Sequence, residues 1–265
     1  MLKNLAAAKA AGAVHVIDGD LIVYRACHVA QRAQIIDSEE DGPPVEHRTL
    51  DADTVRSYVA EVVTRLKAAP GGLTVVALSD TLNFRRNLFP EYKSNRTVPK
   101  PLGLEWVREF VRRNYCVETV ERLEADDVLG LYATHPDLAG KVWIFSDDKD
   151  MKTIPCRLMN MDRCDAREIA PEEAVYWHYY QTLIGDSVDG YKGLPGCGPK
   201  GAEKILGSEP RVTNPVEGWK AVVAAYEAKD FKETDAVRSA CMAKILLWDD
   251  VKDTWPQIRL WGPPK

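Results

Sequence analysis

Val14-His15-Val16-Ile17-Asp18-Gly19-Asp20 is the stretch on which the fold turns. A short apolar run rich in β-branched residues ends in an Asp-Gly-Asp cluster. It is too short for a helix and is closed by polar residues, which predicts a buried strand that ends in carboxylates. The pattern recurs twice. Leu73-Thr74-Val75-Val76-Ala77-Leu78 ends at Ser79-Asp80, and Val142-Trp143-Ile144-Phe145 ends at Ser146-Asp147-Asp148. Residues 116–120 and 157–161 are weaker strand candidates. Between the strands lie helical patterns. Residues 53–66 put Val55, Val59, Val62, Val63 and Leu66 at helix spacing, and 104–111, 124–132 and 171–183 read alike. Strand–helix alternation predicts an α/β fold with a mostly parallel central sheet flanked by helices. Ligands gather at the carboxyl ends of strands in such sheets, so Asp18, Asp80, Asp148 and Asp150 are expected to converge.

The composition is that of a globular protein: 265 residues, 45% apolar and 28% charged. A chain of this length buries about 70–75% of its unfolded surface and needs no disulfide or metal staple. No apolar run reaches the ~18–20 residues needed to span a bilayer. The Ala-rich segment 1–12 reads as a short helix rather than a signal peptide. The six Cys contain no CxxC and the five His no HxxxH, which argues against zinc and for reduced thiols in a cytoplasmic protein. Asn95-Arg96-Thr97 is formally a glycosylation sequon, but nothing else points to secretion. The 35 Lys and Arg against 40 Asp and Glu give a net charge of −5, which by itself counts against a nucleic-acid binder.

The location of the acidic residues changes that balance. Glu124-Ala125-Asp126-Asp127 opens a helix, with 124 and 127 at i,i+3 spacing on one face. Gly185-Asp186-Ser187-Val188-Asp189 closes another helix and enters a turn-rich loop. Any one of these acids is ordinary cap or turn chemistry. Brought together, they would repel one another unless cations neutralised them. Oxygen donors with little His or Cys suit Mg²⁺ or Mn²⁺, and a pair of such ions is a standard device for phosphodiester hydrolysis.

Two basic segments complete the pattern. Residues 84–96, Phe84-Arg85-Arg86-Asn87-Leu88-Phe89-Pro90-Glu91-Tyr92-Lys93-Ser94-Asn95-Arg96, mix aromatics with cations. They read either as a solvated loop with anchoring aromatics or as a phosphate grip with base stacking. Gly193-Leu194-Pro195-Gly196-Cys197-Gly198-Pro199-Lys200 precedes a helix over 199–206 with Pro at its first position. Its glycines let backbone N–H groups approach a phosphate, and the helix start favours an anion; a plain helical hairpin turn is the alternative. A Walker A loop is excluded, because Pro199 stands where the Lys should be and no strand precedes it. Residues 216–248 read as further helix.

With Val16–Asp20 and Tyr24-Arg25 first, the segments Ser79-Asp80, Tyr92–Arg96, Glu124–Asp127, Ser146–Asp150 and Gly185–Ala202 follow in one order. In that ordered set the chain resembles the 5′-nuclease superfamily of flap endonucleases, bacteriophage 5′→3′ exonucleases and the 5′-nuclease domain of bacterial DNA polymerase I. The resemblance implies a PIN-like catalytic core over residues 1–184, with a short arch or gateway around 81–113. It implies a helix–three-turn–helix and helical region over 185–265, packed with the core as one unit.

It further implies a metal-dependent 5′→3′ exonuclease or flap endonuclease that hydrolyses DNA by a two-metal-ion mechanism, with two Mg²⁺ or Mn²⁺. Asp18, Asp80, Glu124, Asp126 and Asp148 would hold or border one ion, and Asp127, Asp150, Asp186 and Asp189 would serve the other. Lys93 and Arg96 would act at the scissile phosphate beside Asp148 and Asp150, Tyr92 would support the first base, and Arg25 would touch a further phosphate. Lys192, Gly196, Gly198, Lys200 and Lys204 would grip duplex backbone, with a K⁺ in the same loop. Asp147 stands where relatives usually carry Thr and is read as a supporting or surface residue.

Residues 97–103 are few and stiffened by Pro99 and Pro101, so a short or open arch is expected. The expected partner is duplex, nicked or 5′-flap DNA. The expected state is a stand-alone monomeric nuclease of a bacterial or phage-infected cell, without membrane attachment. Two alternatives remain at this point. Asp18-Gly19-Asp20 also resembles the DxD of haloacid-dehalogenase-type phosphatases, which leaves Tyr92–Arg96 and Asp186/Asp189 without a role. A non-catalytic DNA-binding protein would be expected to have lost matched carboxylates, and none is lost. With the nine assigned carboxylates set aside, a chain of −5 becomes a remainder of +4.

Overall fold

The computed structural model describes residues 1–36 and 45–265. Its central element is β1 (Val14–Asp18), which pairs in parallel with β4 (Leu73–Ala77) on one side and β6 (Val142–Phe145) on the other. The sheet is completed by β5 (Val117–Glu118) outside β4, and by β7 (Cys156–Met159) and β8 (Ala166–Ile169) outside β6. All neighbours are parallel except β7 and β8. The three strands read most strongly from sequence therefore form the middle of the sheet. The two weaker candidates are present in altered form: 116–120 contracts to two paired residues, and 157–161 shifts by one to two positions.

Alternation along the strands splits the core between the two faces. Val14, Val16, Val75 and Ala77 point to one face, against α1 (Leu5–Ala10) and α6 (Ala125–Thr134). Ile17, Val76, Leu78 and Phe145 point to the other, against α2 (Gly19–Ala30), α3 (Ala52–Arg65) and α5 (Leu104–Asn114). Each of the Val, Ile, Leu and Phe side chains, fully buried, contributes about 1.5–3 kcal/mol. The turn from β1 into α2 is tight: a Cβ at Gly19 would lie 2.5 Å from the Ala77 carbonyl oxygen and from Val76 Cγ1. Only glycine allows α2 to start so close to β4.

A hairpin of β2 (Gln31–Ile36) and β3 (Val45–Leu50) leaves the end of α2 and returns to α3 without joining the main sheet. After the short α4 (Phe84–Leu88), residues 89–103 run through turns to α5. Beyond β8, α7 (Pro171–Ile184), α8 (Pro199–Leu206), α9 (Pro215–Glu227) and α10 (Glu233–Ala243) pack around Tyr179, Leu183, Trp219, Val222 and Tyr226. The helical region expected over 216–248 consists of two helices, α9 and α10. Asp230, with φ +63°, turns the chain after α9. Among the described residues no helix is long and apolar enough to cross a membrane.

Candidate metal centre

The parallel register delivers the acidic residues. Asp18 stands opposite Ala77 and Ile17 opposite Phe145. Asp80 and Asp148 therefore follow within three residues of the last paired positions, at the same edge of the sheet. Asp18 is 5% exposed and caps α2 by accepting the Leu21 N–H at 3.1 Å, while Ser146 Oγ donates to its other oxygen at 2.8 Å. Ser146 Oγ also accepts the Asp148 N–H at 3.1 Å, and Asp148 accepts the Asp150 N–H at 2.8 Å. One serine thus ties the β1 and β6 carboxylates together. Asp80 accepts the amides of Arg122, at 2.7 Å, and Thr81, at 2.8 Å. Ser79 Oγ accepts the Ala125 N–H at 2.9 Å, which fixes the start of α6 against β4.

Seven of the nine predicted carboxylates divide by their partners. Asp18, Asp126 and Asp150 have unfavourable surroundings for charge. Burial, then Asp20 and Asp148, push the Asp18 carboxyl up to about 6. Burial, then Asp18, Asp148 and Glu124, push Asp126 well above the carboxylate range. Burial, then Asp148, Asp186 and Asp189, raise Asp150 to about 7 despite Lys149. Asp148 is common to all three.

Glu124, Asp127, Asp186 and Asp189 are instead paired with the protein's own cations. Burial would raise Glu124, but Lys93 and Arg85 hold it at about 2, and the Tyr92 hydroxyl donates to it at 2.8 Å. Asp189 receives Arg96 Nη2 at 2.9 Å and the same Tyr92 hydroxyl at 3.0 Å, with Lys93 Nζ at 3.6 Å. Burial likewise pulls Asp186 up, but Lys149 at 2.7 Å and the amides of Asp189 and Val188 outweigh it and lower it.

Asp127 is fully buried. Arg85 Nη1 and Nη2 fork onto it at 2.8 and 2.7 Å, and it also accepts the Glu124 N–H at 3.1 Å and the Leu246 N–H at 3.0 Å. It therefore stands beneath the centre, joining α4, α6 and the segment after α10. Among the described residues, no three acidic, His or Cys side chains close into a finished coordination sphere. The donor chemistry nonetheless fits divalent ions: carboxylates that repel one another lie beside carboxylates paired with the protein's own cations.

The predicted contact residues are placed unevenly. Lys93 and Arg96 lie at the centre, Lys93 with a left-handed φ of +55°. Tyr92 requires a correction. At 4% exposure its ring has no open face for a base, because the side chain turns inward to bridge Glu124 and Asp189. Arg25 lies on α2, held by Asp147 at 2.8 Å and Asp162 at 3.1 Å. Asp147 is thereby an anchor for Arg25 and for the Met161 N–H. Lys192, Gly196, Gly198, Lys200 and Lys204 are all exposed, in the loop between α7 and α8 and on α8.

Besides Ser146 and Lys149, three further contributors were absent from the sequence-based site. Arg85 holds Asp127 and Glu124, Gln181 of α7 donates to Asp150, and Asp20 accepts the Ser79 N–H at 3.3 Å near Arg108.

The family model for the N-terminal resolvase-like domain of 5′-3′ exonucleases matches residues 13–177. The chain belongs to the 5′-3′ exonuclease family. Within it, the chain is 36% identical over 248 residues to an exodeoxyribonuclease of Enterobacteria phage T3, covering 89% of this chain and 79% of that one. It is 31% identical over 285 residues to an exonuclease of Escherichia phage T7, covering 94% and 93%. The T5 D15 protein co-crystallised with metal ions shares the fold of this exonuclease-family chain at a TM-score of 0.57 and 18% identity, covering 88% of this chain and 89% of that one. Membership in the 5′-3′ exonuclease family removes the phosphatase alternative raised by Asp18-Gly19-Asp20.

Proposed function

We propose that the protein is a Mg²⁺- or Mn²⁺-dependent, structure-selective 5′-nuclease acting on DNA at 5′ ends, nicks or flaps. The observation that carries this reading is the gathering of Asp18, Asp126 and Asp150, each raised by burial and by the nearby Asp148, with Lys93 and Arg96 at the same sheet edge. Asp18, Asp126, Asp148 and Asp150 would hold the ions, with Asp80, Glu124, Asp186 and Asp189 bordering them directly or through water. Asp127 serves by fixing Arg85. When bound, divalent ions supply positive charge at the attacking and leaving oxygens of the phosphodiester.

The side chains prepare the remaining steps. Lys93 and Arg96 carry the charge that the non-bridging phosphate oxygens need as they become more negative. Their ion pairs with Glu124 and Asp189 aim both at the centre. Tyr92 keeps Glu124 and Asp189 apart at a fixed spacing by donating toward both. The exposed Lys192, Lys200 and Lys204, with the backbone at Gly196 and Gly198, would track duplex phosphates without reading bases. On this reading residues 1–184 cut and residues 185–265 position the duplex.

The test is cleavage of 5′-labelled duplex, nicked and flapped DNA with Mg²⁺ or with EDTA, with product lengths resolved. Short 5′ products with Mg²⁺ alone are expected. Uncut DNA on all three substrates would end the proposal.

A further inference from the structure

Lys149 stands between Asp148 and Asp150 on a short 3₁₀ turn, Lys149–Thr153. Its Nζ lies 2.7 Å from Asp186 Oδ2, and its charge also faces Asp150 and Asp148. The two partners differ in freedom. The Lys149 side chain is 63% exposed and can swing away, whereas Asp186 is nearly buried. The other oxygen of Asp186, Oδ1, is pinned by the Val188 N–H at 2.7 Å and the Asp189 N–H at 3.2 Å. Asp150 is held in the same manner on one side only, by Gln181 on Oδ1.

We infer that Lys149 is a displaceable counter-ion of the second metal subsite: its ammonium occupies the Asp186–Asp150 side of the centre until a divalent ion replaces it. The inference rests on the two-ion reading above and assigns a role to a residue that reading does not use. Departure of Lys149 would leave Asp186 Oδ2 and Asp150 Oδ2 as free acceptors on carboxylates that need not reorient. Asp148 stays in place, because its Oδ1 accepts the Asp150 N–H rather than the lysine. Among the other paired cations, Arg96 is 49% exposed but holds Asp189 rather than Asp186 or Asp150, and the remaining two are enclosed. Arg85 is 3% exposed and Lys93 is nearly as enclosed, so neither can leave into solvent.

The competition is measurable without cleavage. Mn²⁺ is titrated calorimetrically into the full-length protein in the absence of DNA, for wild type, Lys149→Met and Lys149→Arg. Two ions are expected in each, with the weaker one bound about three- to tenfold more tightly by Lys149→Met, because a partly exposed ion pair and one like charge no longer oppose it. Lys149→Arg keeps the charge and is expected to match wild type. Equal or weaker second-ion affinity in Lys149→Met overturns the inference and leaves the two-ion reading standing. A single ion in all three proteins overturns both. Thermal unfolding of the variants checks that the exposed substitution leaves the fold intact.

Discussion

Arg85 and Asp127 form a forked pair that is shut off from water, with the Lys244 carbonyl accepting the guanidinium from behind. Replacing one member of a buried pair leaves the other charge uncompensated, which typically costs about 3–5 kcal/mol. Arg85→Met is therefore expected to lower stability by that order in urea unfolding, and a loss under about 1 kcal/mol would contradict the pairing. Lys93 is a different case. It is placed to stabilise charge that develops during cleavage, so Lys93→Ala is expected to lower the single-turnover rate by about 10²–10³ while duplex affinity changes little. Equal losses in rate and affinity would refute that role. Most carboxylates of the centre were legible because strand ends and helix starts are readable. Arg85 was not, because α4 has only five residues and sets no period that separates Arg85 from the exposed Arg86. Tyr92 was misjudged for a related reason. An aromatic beside Lys and Arg looks like a stacking platform, and only the packing reveals that its hydroxyl is spent on two carboxylates.

At the scale of elements, the junction between α7 and the loop before α8 shows how the proposed duplex-binding region is fixed. Gly185 has φ +70°, and a Cβ there would lie 2.3 Å from the Lys192 carbonyl carbon; Gly193 has φ +59° and faces the Gly185 N at 2.4 Å. Both the left-handed backbone and the close approach require glycine. Gly185→Ala is expected to cost more than about 1–3 kcal/mol in stability and to weaken duplex binding by displacing Asp186 and Lys192 together. Unchanged denaturation and unchanged DNA affinity would show that the junction is not tight. The helices legible from sequence were those with an apolar face in a long window, such as α3 and α7. The helix α2 was passed over, although Asp18 caps it and Ile22, Ala26 and Ala30 recur every four residues, because its first turn is also the acidic motif. In the β2–β3 hairpin the side chains at 31–34 and 47–50 are exposed or half-buried, so no alternation announced it. The bridge of Asp186 to Tyr191, antiparallel within the loop, likewise follows from chain geometry rather than composition.

For the whole molecule, the division of carboxylates predicts how the metal-free protein responds to pH. Asp18 and Asp150 have an ordinary carboxyl value of 3.8 when unfolded, and about 6 and about 7 when folded. Over that window these two groups bind more protons in the folded state than in the unfolded one, so their contribution to stability falls as pH rises from about 4 to about 7. It outweighs the opposite contribution of buried His178, whose imidazole burial pushes down to about 3. Glu124 and Asp186, held low by their cations, act in the opposite sense only below that window. In EDTA the unfolding temperature is therefore expected to be lower at pH 7.5 than at pH 5.5, and Mg²⁺ should raise it more at the higher pH. A midpoint independent of both would contradict the clustering. The same clustering resolves the net charge of −5: the acids are concentrated at one sheet edge, and the remainder is mildly basic.

If this sheet edge cuts DNA with metal, as proposed, the loss of rate should be largest at Asp148, which faces Asp18, Asp126 and Asp150. The measurement is the single-turnover rate on 5′-labelled nicked duplex for wild type and Asp148→Asn. Wild type is expected to cleave with Mg²⁺ and not with EDTA, and Asp148→Asn to lose at least about a hundredfold in rate. Cleavage that persists in EDTA, or an Asp148→Asn rate equal to wild type, would rule out metal-dependent cleavage at this edge.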